Sequence, residues 1–417
     1  VHRLEPGLAS DITGAITFDE WGVDPYRLCL LNAKDAVRSG GEVLLHHEVV
    51  DLLFSQEEKR VIGVRVRTQN REYKDYFGKV VLNISGPWIS NICKMAGIDL
   101  KLRPGKGIHI VFDRRISNIA LMTQTIDRRN VFLLPYENTS IIGTTDDDFY
   151  GDPDHLEVTQ DEVEYLFQAI ERIFPDIRKY RVIATYAGIR PTLYEWGKLE
   201  DELSREHKIF DHSTEGVEGF LTMAGGKLAS YRLMSEELTD VVCKKLKLRK
   251  KCETHLKPLP GGDDLISPDE LKSMAARAGI ALYALSRLYF RHGGGIRDIL
   301  FLIQEHPSYR RVICAAEPVL EAEIRYVISK EWAESLDDIG RRTRLGWGGC
   351  QGGDCVWPAA LILKEMLGKD PVKEASLFLQ KRWKSLIPCF EGDAVAQEEL
   401  KFQWAHLSPI SQCFQRS

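Results

Sequence analysis

The chain has 417 residues, with 56 Lys and Arg against 61 Asp and Glu, and a net charge of -5. That balance excludes a generally basic nucleic-acid surface while leaving room for a local basic pocket that takes an anion. At 44% hydrophobic and 28% charged the composition is that of a soluble globular protein, and the length exceeds what one core usually serves, so two domains are expected.

Asp24-Pro25 marks a helix start, an N-cap acceptor with proline at the first helical position. Leu28, Leu31, Ala33 and Val37 supply its apolar side, and Gly40-Gly41 ends it. Glu42–Phe54 reads as extended, and Arg60–Thr68 as a strand with Val61, Val64 and Val66 among polar residues. His46 and His47 on such an extended segment would point to opposite faces, which argues against a metal pair. Lys79–Ile84 is a short apolar strand running into Ser85-Gly86-Pro87-Trp88, a glycine turn and a helix start. A buried strand feeding a helix N-terminus offers backbone N–H groups to a ligand.

The middle of the chain predicts strands at Ile108–Phe112, Val131–Leu134, Ser140–Ile142, Arg181–Ala187 and Phe220–Met223. One helix interrupts them: Thr159 and Glu162 have capping-box spacing, and Val163, Leu166, Phe167, Ile170 and Phe174 form a core-facing stripe. A helix from Gly225-Gly226-Lys227 to Lys245 follows, with Leu228, Leu238, Val241 and Val242 as apolar positions. The charged, Pro- and Gly-bearing stretch Lys247–Asp264 divides residues 1–246 from a helical region, 247–417. There, helices are predicted over Asp269–Phe290, Leu320–Arg344, Val356–Leu367 and Val372–Lys384.

Three segments could carry chemistry. In Arg103-Pro104-Gly105-Lys106-Gly107-Ile108-His109 the glycines relax the backbone before a strand, and His109 can accept a proton near neutral pH. In Tyr186-Ala187-Gly188-Ile189-Arg190-Pro191 an arginine after a strand can offer a planar donor fork to a phosphate or pair with a carboxylate. In Ala224-Gly225-Gly226-Lys227-Leu228 paired glycines let the chain approach a ligand, and Lys227 can stabilise negative charge. Gly143-Thr144-Thr145-Asp146-Asp147-Asp148 could rim a pocket but lacks the pattern of a calcium loop. Nine irregularly spaced cysteines read as free thiols of a reducing compartment. Cys350 and Cys355, separated by four residues with no second close pair and no nearby histidine, make a poor zinc motif, so no metal is expected.

In this order the segments resemble the FAD-dependent glycerol-3-phosphate dehydrogenase family, over nearly the whole chain. The resemblance runs through Leu4-Glu5-Pro6, Val23-Asp24-Pro25-Tyr26-Arg27-Leu28, Asn83-Ile84-Ser85-Gly86-Pro87-Trp88, Lys106-Gly107-Ile108-His109-Ile110-Val111, Ile141-Ile142-Gly143-Thr144-Thr145-Asp146, Tyr186–Pro191 and Gly225–Arg232. Glu321–Tyr326 and Asp337–Arg344 extend it into the helical tail. It departs at Ile108, where the family usually carries serine.

The resemblance implies an α/β fold: an FAD-binding Rossmann-like domain, a mostly β substrate region at about 103–220, and an all-helical C-terminal cap domain. It implies an enzyme that oxidises sn-glycerol 3-phosphate to dihydroxyacetone phosphate by hydride transfer to FAD, with electrons passing to a membrane quinone. Other FAD-dependent amine or hydroxy-acid oxidoreductases, or an inactive homologue, are the alternatives. By position His109 matches the family's active-site histidine, with Lys227 a competing proton acceptor or an electrostatic partner. Arg190 and Arg205 match substrate-phosphate ligands, and Val49, Ser85, Gly86, Pro87, Gly226 and Leu228 match segments lining FAD. Peripheral membrane association is implied, at the mitochondrial inner membrane in a eukaryote or the cytoplasmic face of the inner membrane in a bacterium. A homodimer is left open and no nucleic-acid partner is expected. Such enzymes open with strand, Gly-x-Gly-x-x-Gly and helix. No such pattern precedes Leu4, so the FAD-binding domain is expected to be incomplete and the sequence to begin late.

Overall fold

A computed structural model describes residues 1–57, 59–197 and 206–390. The chain opens in irregular structure and enters helix α1, Pro25–Arg38, where the Asp24 side chain caps Tyr26 N and Arg27 N as the sequence predicts. The buried face differs from expectation. Val37 is 40% exposed, whereas Arg27 is buried. The reason is tertiary: Arg27 and Lys34 donate at 2.7 and 2.8 Å to Glu331, a fully buried carboxylate of the helical region.

Strands β1 (Glu48–Phe54), β2 (Val61–Arg67) and β3 (Tyr73–Phe77) form an antiparallel meander. The extended stretch predicted from Glu42 starts only at Glu48, so His46 lies in a turn, at φ 57°, and His47 is the irregular residue after it. β4 (Val81–Asn83) leads into a short 3-10 turn, Gly86–Trp88, and helix α2, Ile89–Met95.

A six-stranded sheet follows, built from β5 (Gly105–Phe112), β6 (Leu121–Gln124), β7 (Asn130–Tyr136), β8 (Thr139–Gly143), β9 (Asp147–Asp148) and β10 (Val182–Arg190), in the order β10-β5-β8-β7-β6 with β9 on β5. Its apolar face takes helix α3, Gln160–Glu171, which carries the expected capping box and buries Val163, Leu166, Phe167 and Ile170 on Ile108, Ile110, Phe112 and Leu133. Two expectations are corrected here. Gly105 and Gly107 lie inside β5, paired with Arg190 and Gly188, and Arg190 is the last residue of β10.

β11 (His207–Asp211) pairs antiparallel with β12 (Phe220–Gly225), and β12 pairs parallel with β4, Thr222 opposite Asn83. Helix α4, Tyr231–Lys245, buries Leu238 and leaves Leu228, just before it, 47% exposed.

The rest is mainly helical: α5 (Pro268–Ala278), α6 (Leu282–His292), α7 (Ile296–Glu305), a hairpin of β13 (Val312–Cys314) and β14 (Val319–Leu320), then α8 (Glu321–Lys330), α9 (Leu336–Thr343), α10 (Val356–Leu367) and α11 (Pro371–Leu386). The two longest predicted helices are each broken. Gly279, at φ 65°, caps α5, and the chain restarts at Leu282. Between α8 and α9 Trp332 takes φ 54° and Ser335 caps the new helix. One hydrophobic cluster from Ile266 to Phe378 fills this region. No described helix is long and apolar enough to cross a membrane.

Candidate active site

In β5, Ile108, Ile110 and Phe112 point into the core under α3. Strict alternation therefore sends Gly107 and His109 to the other face. Tyr186 lies directly across from His109 on β10, and Gly143 directly across on β8. The imidazole stacks on Tyr186, with centroids 4.8 Å apart and planes 8° apart, and touches Phe132 from the other side at 5.7 Å. Gly143 leaves the ring its place: a Cβ there would lie 2.3 Å from His109 Cδ2. His109 Nδ1 is buried and meets no hydrogen-bond partner among the described residues. Burial, then the charge of Arg190, pushes the imidazole down to about 4. At neutral pH the ring is uncharged and can accept a proton.

Arg190 stands four residues beyond Tyr186 along β10, on the same face. Its guanidinium folds back over Gly107, where a Cβ would lie 2.7 Å from Nη2. It donates to Asp146 Oδ1 at 2.7 Å and to Thr144 Oγ1 at 3.2 Å. Of the two roles considered for this arginine, the structure shows the pairing with a carboxylate, on the face that also carries His109. The acidic run is divided among three arginines: Asp146 with Arg190, Asp147 with Arg129 at 3.1 Å, and Asp148 with Arg103 at 2.7 Å. Each carboxylate of the run is thus paired with an arginine.

The second half of the site is built by the parallel pair β4 and β12. Their carboxyl ends lie side by side, so Ser85-Gly86-Pro87 and Gly226-Lys227-Leu228 emerge at one sheet edge. In sheets of this kind ligands bind outside the carboxyl ends of parallel strands. Ser85 Oγ donates to Asn83 Oδ1 at 2.7 Å, and buried Asn83 donates back to Ile89 O, which fixes the turn. Gly86 has φ 61° with open space where a Cβ would stand. Gly226 has φ 86°, and a Cβ there would strike Met234. Leu82, Ile84, Trp88 and Leu228 are exposed around these turns, a large apolar surface for one edge. The surface and the donor-rich turns fit a flat, partly apolar cofactor such as a flavin. The 3-10 turn at Gly86–Trp88 also packs on β10, joining this edge to the sheet that carries Tyr186 and Arg190.

Among the remaining expected positions, Lys227 is exposed, and among the described residues its ammonium meets no hydrogen-bond partner. No described hydrogen bond links it to His109 or Arg190. Val49 is half-buried in β1, paired with Val66, and its strand packs on α2. Arg205 lies outside the described residues. Sequence reasoning missed Tyr186 as a stacking partner, Asp146 as the arginine's counter-ion and Gly143 as the space for the ring. Only the cross-strand register reveals these. Cys314, remote in sequence from Cys350 and Cys355, was likewise not joined to them, yet the three Sγ atoms lie within 4.8 Å of one another.

Fold and site together define a flavin-dependent oxidoreductase. Residues 1–232 match the family model described as FAD dependent oxidoreductase, and residues 252–374 match the C-terminal domain of alpha-glycerophosphate oxidase. The chain is 31% identical over 414 residues to a subunit of the anaerobic glycerol-3-phosphate dehydrogenase of Haemophilus influenzae, spanning 98% of this chain and 72% of that protein. It is 33% identical over 412 residues to the protein of the same name from Escherichia coli K12, spanning 97% and 74%. The crystal structure of glycerol-3-phosphate dehydrogenase from Bacillus halodurans complexed with FAD superposes with a TM-score of 0.78 at 24% identity, over 94% of this chain and 79% of that one, and shows the shared fold. The chain belongs to the FAD-dependent glycerol-3-phosphate dehydrogenase family.

Proposed function

We propose that this protein oxidises sn-glycerol 3-phosphate to dihydroxyacetone phosphate. The observation that carries the reading is the face shared by His109, Tyr186 and Arg190: an uncharged, half-buried imidazole on the same face as a guanidinium, on a sheet thinned by Gly107, Gly143 and Gly188. Bound FAD would supply the hydride acceptor, held by Ser85, Gly86, Pro87, Gly226 and Leu228 at the β4–β12 edge, with Val49 on the neighbouring strand.

Arg190 binds the phosphate, exchanging part of its pairing with Asp146 for a stronger acceptor. His109 takes the proton of the C2 hydroxyl as hydride leaves that carbon, so no full alkoxide accumulates. An imidazole near 4 is a weak base in the free protein. A phosphate dianion on Arg190 cancels the positive charge that helps depress it, so substrate binding makes His109 more basic. Lys227, exposed at the cofactor edge, offsets negative charge arriving there. Arg205 is proposed as a second phosphate ligand on the strength of the family resemblance alone. A membrane quinone as the onward acceptor, reached by peripheral association, is proposed on the same basis.

The test is anaerobic titration of the FAD-loaded protein with glycerol 3-phosphate, followed by flavin absorbance. Bleaching with glycerol 3-phosphate but not with glycerol supports the reading. A flavin that stays oxidised with both refutes it. A ubiquinone analogue that restores the oxidised spectrum supports the quinone step, and failure to do so rejects it.

A further inference from the structure

The cofactor edge is linked to a buried histidine that the oxidation does not use. His212 follows β11 directly and is fully buried, with the rings of Phe210 and Phe220 stacked on its imidazole at 6.4 and 4.9 Å. Its Nδ1 meets the carboxylate of Glu215, whose side chain is 52% exposed, and its Nε2 meets Thr222 Oγ1 at 2.8 Å. Thr222 Oγ1 lies 3.5 Å from Cys93 Sγ, and Asn83 Nδ2 lies 3.4 Å from the same sulfur. Asn83 Oδ1 takes the Ser85 hydroxyl at 2.7 Å. His212, Thr222, Cys93 and Asn83 are all buried, so an unbroken file of polar side chains runs through the core from a surface carboxylate to the turn after β4.

The hydrogens of this file all point one way. Ile89 O can only accept, so the Asn83 amide nitrogen lies on that side and its oxygen turns to Ser85. The same nitrogen donates to Cys93 Sγ, which leaves the thiol hydrogen for Thr222 Oγ1. Burial pushes the Cys93 thiol up, so the sulfur keeps that hydrogen at neutral pH. Thr222 then gives its own hydrogen to His212 Nε2, and the N–H at Nδ1 donates to the Glu215 carboxylate. Each member donates to the next, and hydrogen bonds in such a chain strengthen one another. An amide does not hand a proton on as a hydroxyl or imidazole does, so Asn83 makes the file a device for orientation and not for proton conduction.

We propose that His212 is a positioning residue for the flavin edge. Through Thr222, Cys93 and Asn83 it fixes the Ser85 hydroxyl with its hydrogen turned inward and its lone pairs outward, so that Ser85 accepts a hydrogen bond from bound FAD and does not donate one. This rests on the β4–β12 edge as the seat of the flavin and adds how one of its side chains is held. Ser85 stands at the head of the 3-10 turn, half-buried, and Gly86 beside it leaves open space where a Cβ would stand, so a ligand can come close to the hydroxyl. A serine hydroxyl rotates freely unless a partner fixes it. Asn83 is that partner, and His212 fixes Asn83 at a distance, because every donor between them is already committed.

The experiment uses the full chain, stripped of flavin, and measures FAD binding by quenching of flavin fluorescence. That readout needs no substrate, so it does not depend on whether glycerol 3-phosphate reduces the flavin. Ser85→Ala should weaken binding about fivefold, as for one net hydrogen bond. Thr222→Val removes the hydroxyl and keeps the shape. It should weaken binding about fivefold when Ser85 is present, and less than about twofold in the Ser85→Ala background. Thr222→Ser, which keeps the hydroxyl, should bind as the wild type does. His212→Phe should behave as Thr222→Val, and if it fails to fold Thr222→Val carries the test. Equal losses in both backgrounds would mean a general disturbance of the strand edge and would overturn the proposal. So would full affinity in Thr222→Val, or a loss in Thr222→Ser as large as in Thr222→Val. A wild-type chain that takes up no FAD overturns the seat, and the inference with it.

Discussion

Two histidines in this chain, His292 buried and His109 half-buried, have opposite electrostatic surroundings. His292, at the end of α6, is 4% exposed and meets Glu323 through Nε2 at 2.9 Å, while its Nδ1, which like that of His109 has no hydrogen-bond partner among the described residues, faces the Glu331 carboxylate at 3.8 Å. Arg291 beside it forms a two-pronged pair with Glu323. His109, in the sheet, has aromatic rings on two sides, no carboxylate, and a buried nitrogen without a described partner. A buried polar group matched to opposite charge holds a fold together, whereas one left unmatched costs stability unless a ligand completes it. The helical region therefore commits its buried charge to architecture. The sheet leaves its imidazole without a carboxylate partner among the described residues, as the proposed proton acceptor requires.

The sharpest way to break this contrast is His109→Asn. With the proton acceptor gone, kcat should fall by roughly 10²- to 10⁴-fold while the melting temperature changes little, measured by flavin reduction and calorimetry. If kcat holds and Lys227→Met abolishes turnover, the proton acceptor is Lys227 instead.

Glu323→Gln should do the reverse. Burial works against this carboxyl, but Arg291 and His292 outweigh that and hold it below the usual range. Breaking the pair leaves a buried guanidinium uncompensated, at about 3–5 kcal/mol in denaturant unfolding, with kcat of the surviving folded protein retained.

Gly143→Ala sharpens the comparison by geometry alone. The added methyl meets the His109 ring at 2.3 Å and must displace it, so kcat should drop by about tenfold with less effect on KM. An unchanged kcat would mean that the ring position is not critical. Asp146→Asn is smaller: releasing Arg190 from its counter-ion should lower KM for glycerol 3-phosphate about two- to fivefold, as for a partly exposed charge pair.

The pH dependence tests His109 as well. His109 is depressed in the folded state to about 4, against about 6.5 when unfolded. Between those values the unfolded chain binds the extra proton, so its contribution to stability is intact above about 6.5 and is lost as pH falls toward 4. The acid limb of kcat/KM should likewise lie near 4 in the free enzyme. A limb at about 6.5 would show that His109 is not the titrating base.

Much of this fold is legible in the sequence. Asp24-Pro25, the Thr159–Glu162 capping box, the helix Val356–Leu367 and the strand–turn–helix around Ser85-Gly86-Pro87 are local devices, set by backbone caps and side-chain period, and the structure has them where the residues say. The short strands β3, β6 and β11 were not, because their exposed or half-buried residues show no apolar alternation. The site divides in the same way. His109 and Arg190 were named from their own segments and the family resemblance, but their shared face depends on β5 pairing with β10 in one register. The Arg27 side of α1 is buried only because Glu331 waits some three hundred residues later, and Cys314 joins Cys350 only across the packed helices. Spacing along a chain determines helices, caps and turns. Which charges neutralise one another, and which sulfurs meet, is decided by packing between segments far apart in sequence, and only the tertiary structure records it.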